Sequence, residues 1–448
     1  MRGWSGFWKH VSRFLTRLIH IRLPSTLWGF PVESDEKSKA HPLSSSSGGE
    51  NSSAPGEALL RRRGERGIAL LIAIMIISIM MLFTSELILM SQVNITLATH
   101  QRDNVKAEFL AKSGLNAAML LVASDKAFDL YQAQQNPKLC FNDGMSDIWS
   151  ALNGFPIGAE TMEMAQKFQE EFGLNAVLDS GIIDQLKMFE GLFTIQVEDE
   201  AKRINLNNCF QGRCPEILAM LEALFSCPAE KLFLEQKKVT GPELVYRIKD
   251  YIDQDKRAEA ASGFSDENEP YTKRQPRMQA KNAPLDSIDE LRVIEGWDEE
   301  VHAVFAPYLT AYPFVTPNNN DRTKVKLNIN TTSRALLQCL FPEARGSCEE
   351  KFAQNLVQRD RDGTPFAIPG VNMKDVLRDQ LCYTGGGGGA EGGDKSDWFG
   401  RSTEVFRVTV EGTSGDSVKK VMAVVERVMP DPKKNEKSTY RLLYWKLI

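Results

Sequence analysis

Three observations predict an α+β fold, with one long N-terminal helix packed on a small antiparallel sheet and a large all-helical insertion interrupting that sheet. From Ser91 to Val122 there is no Pro and only one Gly, while Val105, Phe109, Leu115 and Met119 keep a helical spacing. Four separate stretches, 191–199, 402–412, 417–428 and 439–448, carry β-branched and aromatic residues in period-two patches. Between the first of these and the rest lie short apolar runs with helical periodicity.

The helix begins in the segment RRRGERGIALLIAIMIISIM (61–80). Arg61, Arg62, Arg63 and Arg66 precede Gly67, and Ile68 opens a run of 18 uncharged, mostly aliphatic residues ending at Ser85. With only Glu86 interrupting it, the run continues to Met90, about the ~20 residues that cross a bilayer as a helix. No small-x-small cleavage site follows it, so a removable secretory signal is disfavoured. The arginines place the N-terminus in the cytoplasm and everything after Met90 on the far side. This predicts a single-pass protein with nearly all its mass outside. One helix from Ile68 to Val122 would extend roughly 80 Å at 1.5 Å per residue.

Upstream, residues 1–67 hold 11 Lys+Arg against 6 Asp+Glu and a Ser/Gly/Pro-rich linker, PVESDEKSKAHPLSSSSGGENSSAPGE, which has no means of forming a core. An unstructured cytoplasmic tail, or a start codon placed too early, accounts for residues 1–60. The segments ILAMLEALF, ELVYRIKDYI, IDELRVI, EEVHAVFAPYL, SRALLQCLF and KFAQNLVQR are predicted as the helices of the insertion. The expected organisation is therefore a leader over 1–67, a transmembrane and spine helix over 68–122, the first part of an α/β domain over 123–208, an inserted helical domain over 209–384, and the C-terminal strands over 385–448. RINLNNCFQGRCPEILAMLEALF and KLNINTTSRALLQCLF share the order basic residue, Asn-containing turn, apolar helix. Helix capping by Asn205, Asn207, Asn328 and Asn330 is the expected reason for this echo.

The chain has 448 residues, 42% of them hydrophobic and 25% charged, which is the composition of folded protein rather than of disorder. Its net charge of −5 lies on an acidic body, since the leader is basic, and an acidic body argues against nucleic acid as a partner. LNINTTSRALL and SIDELRVIEGW share features with helix-hairpin-helix modules, which makes a membrane-anchored DNA-binding protein the rival reading. The hairpin Gly-x-Gly is absent, however, and DSIDELRVIEGWDEE sets carboxylates where a phosphate would approach. Of the seven cysteines, Cys209, Cys214 and Cys227 have no usual zinc spacing, so up to three disulfides of unassigned pairing are expected outside the membrane.

No catalytic constellation is visible. After residue 67 the only histidines are His100 and His302, and GGGGGAEGGDKS (385–396) has Asp394 where a phosphate loop needs Gly before Lys. The candidate ligand site is instead the stretch from Asp250 to Glu269, where seven carboxylates face only Lys256 and Arg257 in sequence. Oxygen-rich loops of this kind suit Ca²⁺, although Asp253-Gln-Asp255 is not followed by the glycine of an EF-hand.

A basic stretch ending in Gly, an aliphatic helix from the next residue and a long amphipathic continuation resemble the type IV pilin and pseudopilin class. Within it, the order of VEDEAKRINLNN (197–208), DYIDQDKR (250–257), SDENEPYTKRQPRMQAKNAPLDSIDELRVIEGW (265–297), KVKLNINTTSRALLQCLF (324–341) and RSTEVFRVTVEG (401–412) is similar to the general secretion pathway protein K family, the large minor pseudopilins of type II secretion, over Gly64 to Ile448. The resemblance implies a pilin-like fold, cleavage by prepilin peptidase between Gly67 and Ile68, and methylation of the new terminal amine. It also implies a tip complex with other minor pseudopilins above the major pseudopilin, with the outer-membrane channel or cargo as further contacts. Pilins of the class carry Glu at the fifth position after the cut, where this chain has Ile72. The related alternative is a minor pilin of another type IV filament. The resemblance further implies calcium, with Asp253, Asp255, Glu267 and Asn268 as candidate ligands. Glu267 and Asn268 match a Glu-Asp pair in the family and Tyr271 a nearby Tyr, and Asn268 replaces a carboxylate.

Overall fold

The computed structural model describes residues 65–135, 143–145, 147–150, 153–158, 191–210, 214–314, 326–344, 348–368, 370–383, 385, 394–428 and 439–448. The chain divides into two units, residues 1–102 with 162–188 and residues 103–161 with 189–448. The first unit is described over the helix from residue 65 to 102. Helix α1 itself runs Glu65–Gln135. It is long and apolar enough to cross a membrane, and its side chains from Ile68 through Leu97 are exposed. The hydroxyls along this stretch return hydrogen bonds to their own helix, Thr84 Oγ1 to the Met80 carbonyl at 2.9 Å and Thr99 Oγ1 to the Ile95 carbonyl at 2.8 Å. A hydroxyl satisfied in this way needs no water.

In the second unit the sheet has the order β1-β2-β7-β8-β9 and is antiparallel throughout. Its strands are β1 (Pro156–Gly158), β2 (Leu192–Asp199), β7 (Val405–Ser414), β8 (Ser417–Val428) and β9 (Thr439–Leu447). Four of these lie where period-two alternation predicts them; β1, three residues with Pro and Gly, carries no such signal. Phe193, Ile195, Val197, Phe406, Val408, Val410, Val421, Ala423 and Val425 form the buried face, against Leu110, Ala111, Leu115, Ala118 and Val122 of α1. The helix approaches β7 so closely that a Cβ on Gly412 would lie 2.3 Å from the Ala107 carbonyl oxygen, which only glycine avoids. Arg427 of β8 ties this layer together through Asp125 at 3.0 Å, Asp143 at 3.3 Å and Glu404 at 3.0 Å. An arginine stays charged when removed from water, and such carboxylates offset the hydration it loses.

Between β2 and β7 lies the insertion, which the structure shows to be helical with two short parallel strand pairs. Its helices are α2 (Pro215–Phe225), α3 (Pro228–Gln236), α4 (Gly241–Ile252), α5 (Glu269–Thr272), α6 (Glu299–Phe305), α7 (Arg334–Leu340), α8 (Glu349–Asp362) and α9 (Met373–Leu381). β3 (Ile204–Asn205) pairs with β4 (Leu309–Thr310), and β5 (Leu327–Asn328) with β6 (Phe399–Gly400). A core separate from that of the sheet runs through these helices, with Phe225, Phe305, Leu336 and Phe341 among its buried members. Six cysteines pair as Cys209–Cys214, Cys227–Cys339 and Cys348–Cys382. Cys140 lies outside the described residues.

The capping expected from the sequence echo holds at Asn205 but not at Asn207 or Asn330. Asn205 and Asn328 each accept from the backbone N–H two residues on, and Asn205 caps the 3₁₀ turn Leu206–Cys209. Asn207 and Asn330 instead clamp distant backbone. Asn207 accepts from Leu285 N–H at 2.7 Å while donating to the Leu285 and Ala311 carbonyls. Asn330 accepts from Ala367 N–H at 2.8 Å while donating to the Ala367 and Arg401 carbonyls. Ala311 and Arg401 directly follow the paired strands β4 and β6, so the two halves repeat the same strand pair and the same clamp. The cap of α7 is Ser333.

Candidate metal centre

Helix α4 carries the chain into the acidic stretch. It starts with a capping box in which Thr240 and Glu243 bond each other's backbone N–H, and it ends at Asp253. Asp253 is buried at that C-terminus, and Glu267, which enters from the turn before α5, is buried beside it. Together with the exposed Asp255, they bring carboxylate oxygens within 4.8 Å of one another. Asp255 also accepts from Arg257 N–H.

Among the described residues, three oxygens in this place are buried without a hydrogen-bond partner: Asp253 Oδ1, Glu267 Oε1 and Asn282 Oδ1. Buried acceptors are almost always paired, so these oxygens are open to water or a cation. The amide nitrogen of Asn282 donates to the Asp255 carbonyl at 2.8 Å and to Glu267 at 3.3 Å. Asn282 sits at φ 46°, in the left-handed region that Asn tolerates better than most residues. Nothing in the sequence pattern singles it out.

Burial, reinforced by the charge of Asp253, pushes the Glu267 carboxyl up to about 7. Burial and then Asp255 push Asp253 up to about 6, and burial also raises Asp250 to about 6. Asp250 is not an orphan, since it accepts from Glu259 N–H at 3.2 Å. Lys249 supplies the nearest positive charge, 3.8 Å from Asp253, but it pairs more closely with Glu259. Like charges held together away from water are stabilised by a proton or by a cation, and an all-oxygen donor set selects a hard cation. Asp253, Asp255 and Glu267 therefore fit a divalent metal, with Asn282 as the neutral donor.

Asn268 is placed differently. Its Oδ1 accepts from Ala280 N–H at 2.9 Å, which holds the loop. Tyr271 is buried, with its ring 5.6 Å from that of Tyr251, and forms part of the wall behind the loop. Gly67, Ile68 and Ile72 lie in α1, with Ile72 an exposed aliphatic on the helix surface.

Residues 202–314, which include the whole acidic site, match the family described as type II secretion system (T2SS), protein K. The type II secretion system protein K of Pseudomonas aeruginosa is 23% identical over 369 residues, 82% of this chain and 90% of that protein. The Klebsiella pneumoniae protein K is 25% identical over 288 residues, 62% of this chain and 71% of that protein. These matches make the chain similar to the type II secretion system protein K family, whose members are minor pseudopilins, structural rather than enzymatic proteins. A chain of the GspK-GspI-GspJ complex from the enterotoxigenic Escherichia coli type 2 secretion system shares the fold, with a TM-score of 0.50, 16% identity, and coverage of 78% of this chain and 98% of that one. The long helix on an antiparallel sheet with helices between its strands is thus the fold shared with that chain.

Proposed function

We propose that this minor pseudopilin caps the tip of the pseudopilus and helps start its assembly for protein export, in complex with two further minor pseudopilins corresponding to GspI and GspJ. The observation that carries this reading is Ile72. Prepilin peptidase cuts between Gly67 and Ile68 in this scheme, and the methylated ammonium on Ile68 then begins the helix. A subunit inside a filament would neutralise that ammonium with a neighbour's carboxylate five residues into the helix, because an unpaired charge in lipid costs several kcal/mol. Here that position is aliphatic, and the nearest carboxylate in the mature helix, Glu86, lies 14 residues further, roughly 21 Å along the axis. A subunit unable to supply this pairing suits the end of a stack, and the insertion between β2 and β7 gives it the bulk of a cap. Residues 1–67 are the leader, 68–122 the anchor and spine, 123–208 and 385–448 the α/β domain, and 209–384 the insertion. The anchor lies in the inner membrane and the bulk in the periplasm, where the metal site takes Ca²⁺ to fix the loop between α4 and α5.

The test is Ile72→Glu in the full chain, followed by the location of the subunit along pseudopili and the rate at which pseudopili start. Restoring the carboxylate is expected to let the subunit enter the filament body and to lower its enrichment at the end. An unchanged end position and unchanged initiation would remove the argument from Ile72.

A further inference from the structure

The helix-packed face of the sheet does not end where α1 does. On β8, Val421, Ala423 and Val425 are fully buried beneath α1, and their cross-strand partners on β9 are Leu447, Trp445 and Leu442. Tyr440, opposite Arg427, completes the row. These β9 side chains share the face of a closed core, yet Leu442 is 52% and Trp445 43% exposed. The other face of the same strand is covered, since Leu443 and Tyr444 pack on the insertion core.

The width of this uncovered strip fits one helix. α1 crosses β7, where Gly412 meets Ala107 and Ala111, and Gly114 meets Val410 of β7 and Phe193 of β2. β9 lies two strands away, about 9.6 Å at the usual strand spacing of 4.8 Å. Packed helices sit 8–10 Å apart, so a second helix over β9 would touch the strip and the flank of α1 together. Addition of a strand to the free edge is disfavoured by the bulge opposite Val424 and Val425 and by Arg441 and Lys446, devices that blunt an edge. Lys419, on the same face two residues before Val421, forms no ion pair among the described residues and asks for a carboxylate on the incoming helix.

The geometry points to a docking site for the spine helix of another pseudopilin, laid beside α1 over Tyr440, Leu442, Trp445 and Leu447, with an acidic residue against Lys419. This rests on the tip-complex reading and deepens it by naming the surface and the element that docks. A photo-crosslinking residue at Leu442, an exposed position that leaves the fold intact, is placed in the full chain in native membranes, with the exposed Val357 of α8 as the control position. The expected adduct joins Leu442 to the N-terminal helix of a different pseudopilin, and Val357 yields none. Trp445→Glu and Lys419→Glu, each with an unchanged thermal unfolding midpoint, should lower recovery of that partner about tenfold or more. An adduct on a globular domain, on a second copy of this chain or on a secreted protein overturns the proposal, as does the absence of an adduct while the wild-type chain still co-purifies with other pseudopilins. If the wild-type chain co-purifies with no pseudopilin, the tip-complex reading itself fails.

Discussion

Stripping divalent cations from the full chain in detergent should destabilise the insertion most strongly near neutral pH. In the folded protein the Asp253 carboxyl lies at about 6 against an ordinary 3.8, and Glu267 at about 7 against 4.5. At about 1.4 kcal/mol for each tenfold change in proton affinity, either shift alone would correspond to roughly 3 kcal/mol. The groups share one another's charge and solvent reaches Asp255, so about 3 kcal/mol for the whole cluster is the expected scale. A folded state with raised carboxyl pKa values binds more protons than the unfolded chain. Stability without metal is therefore fully present below about pH 4 and is lost as pH rises towards about 7. Calcium replaces those protons and should add about 2.7 kcal/mol at a hundredfold excess over its dissociation constant near pH 7.5, and much less near pH 5. Thermal unfolding followed by circular dichroism in chelator and in CaCl₂, at both pH values, measures the four stabilities. Asp199, raised to about 6 chiefly by burial, adds a slope of the same sign that calcium cannot remove. Glu198, held down to about 2 despite its burial by Lys202 and Arg203, adds the opposite slope, lost only as pH falls below about 4.5. The reasoning is refuted if Glu267→Gln with Asp253→Asn leaves the calcium increment intact, or if the increment is the same at both pH values.

Other parts of the structure give separate tests. Gly412→Ala forces α1 and β7 apart and should cost about 1–3 kcal/mol in chemical denaturation, whereas Gly370→Ala, whose added Cβ would meet nothing within 4 Å, should cost less despite its φ of 86°. Asn207→Ala and Asn330→Ala each leave a buried N–H and a buried carbonyl without partners, and each should lower stability by about 2–4 kcal/mol; equal losses in the two would support the repeat. Cys227→Ser opens a bond between residues 112 apart and should cost about 2–5 kcal/mol, with a matching gain in protease sensitivity of the insertion.

The sheet was legible because alternation exposes it: β2 buries Phe193, Ile195 and Val197 in strict period two, and β7 and β8 do the same. The long apolar helix was legible from its aliphatic run between Ile68 and Ser85. The two-residue strands β3 to β6 were not, since a pair that short has no period. Asn207 and Asn330 looked like caps because a clamp to Leu285 or Ala367, 78 and 37 residues away, leaves no local mark. The acidic site was legible only as a density of charge. The fold decides that Asp253, Asp255 and Glu267 converge, gives Asn268 to Ala280, and brings in Asn282 from a left-handed turn. Disulfide pairing likewise follows from three-dimensional proximity that spacing does not encode.

The measurement that tests the central claim most directly is the N-terminus of the mature protein, read by mass spectrometry from native membranes with and without prepilin peptidase. A chain that begins at Ile68 with a methylated amine, and only when the peptidase is present, is the result expected of a pseudopilin that keeps its helix as anchor and spine. A chain that retains Gly67 and the preceding arginines in both cases would contradict it and leave a plain signal-anchored protein.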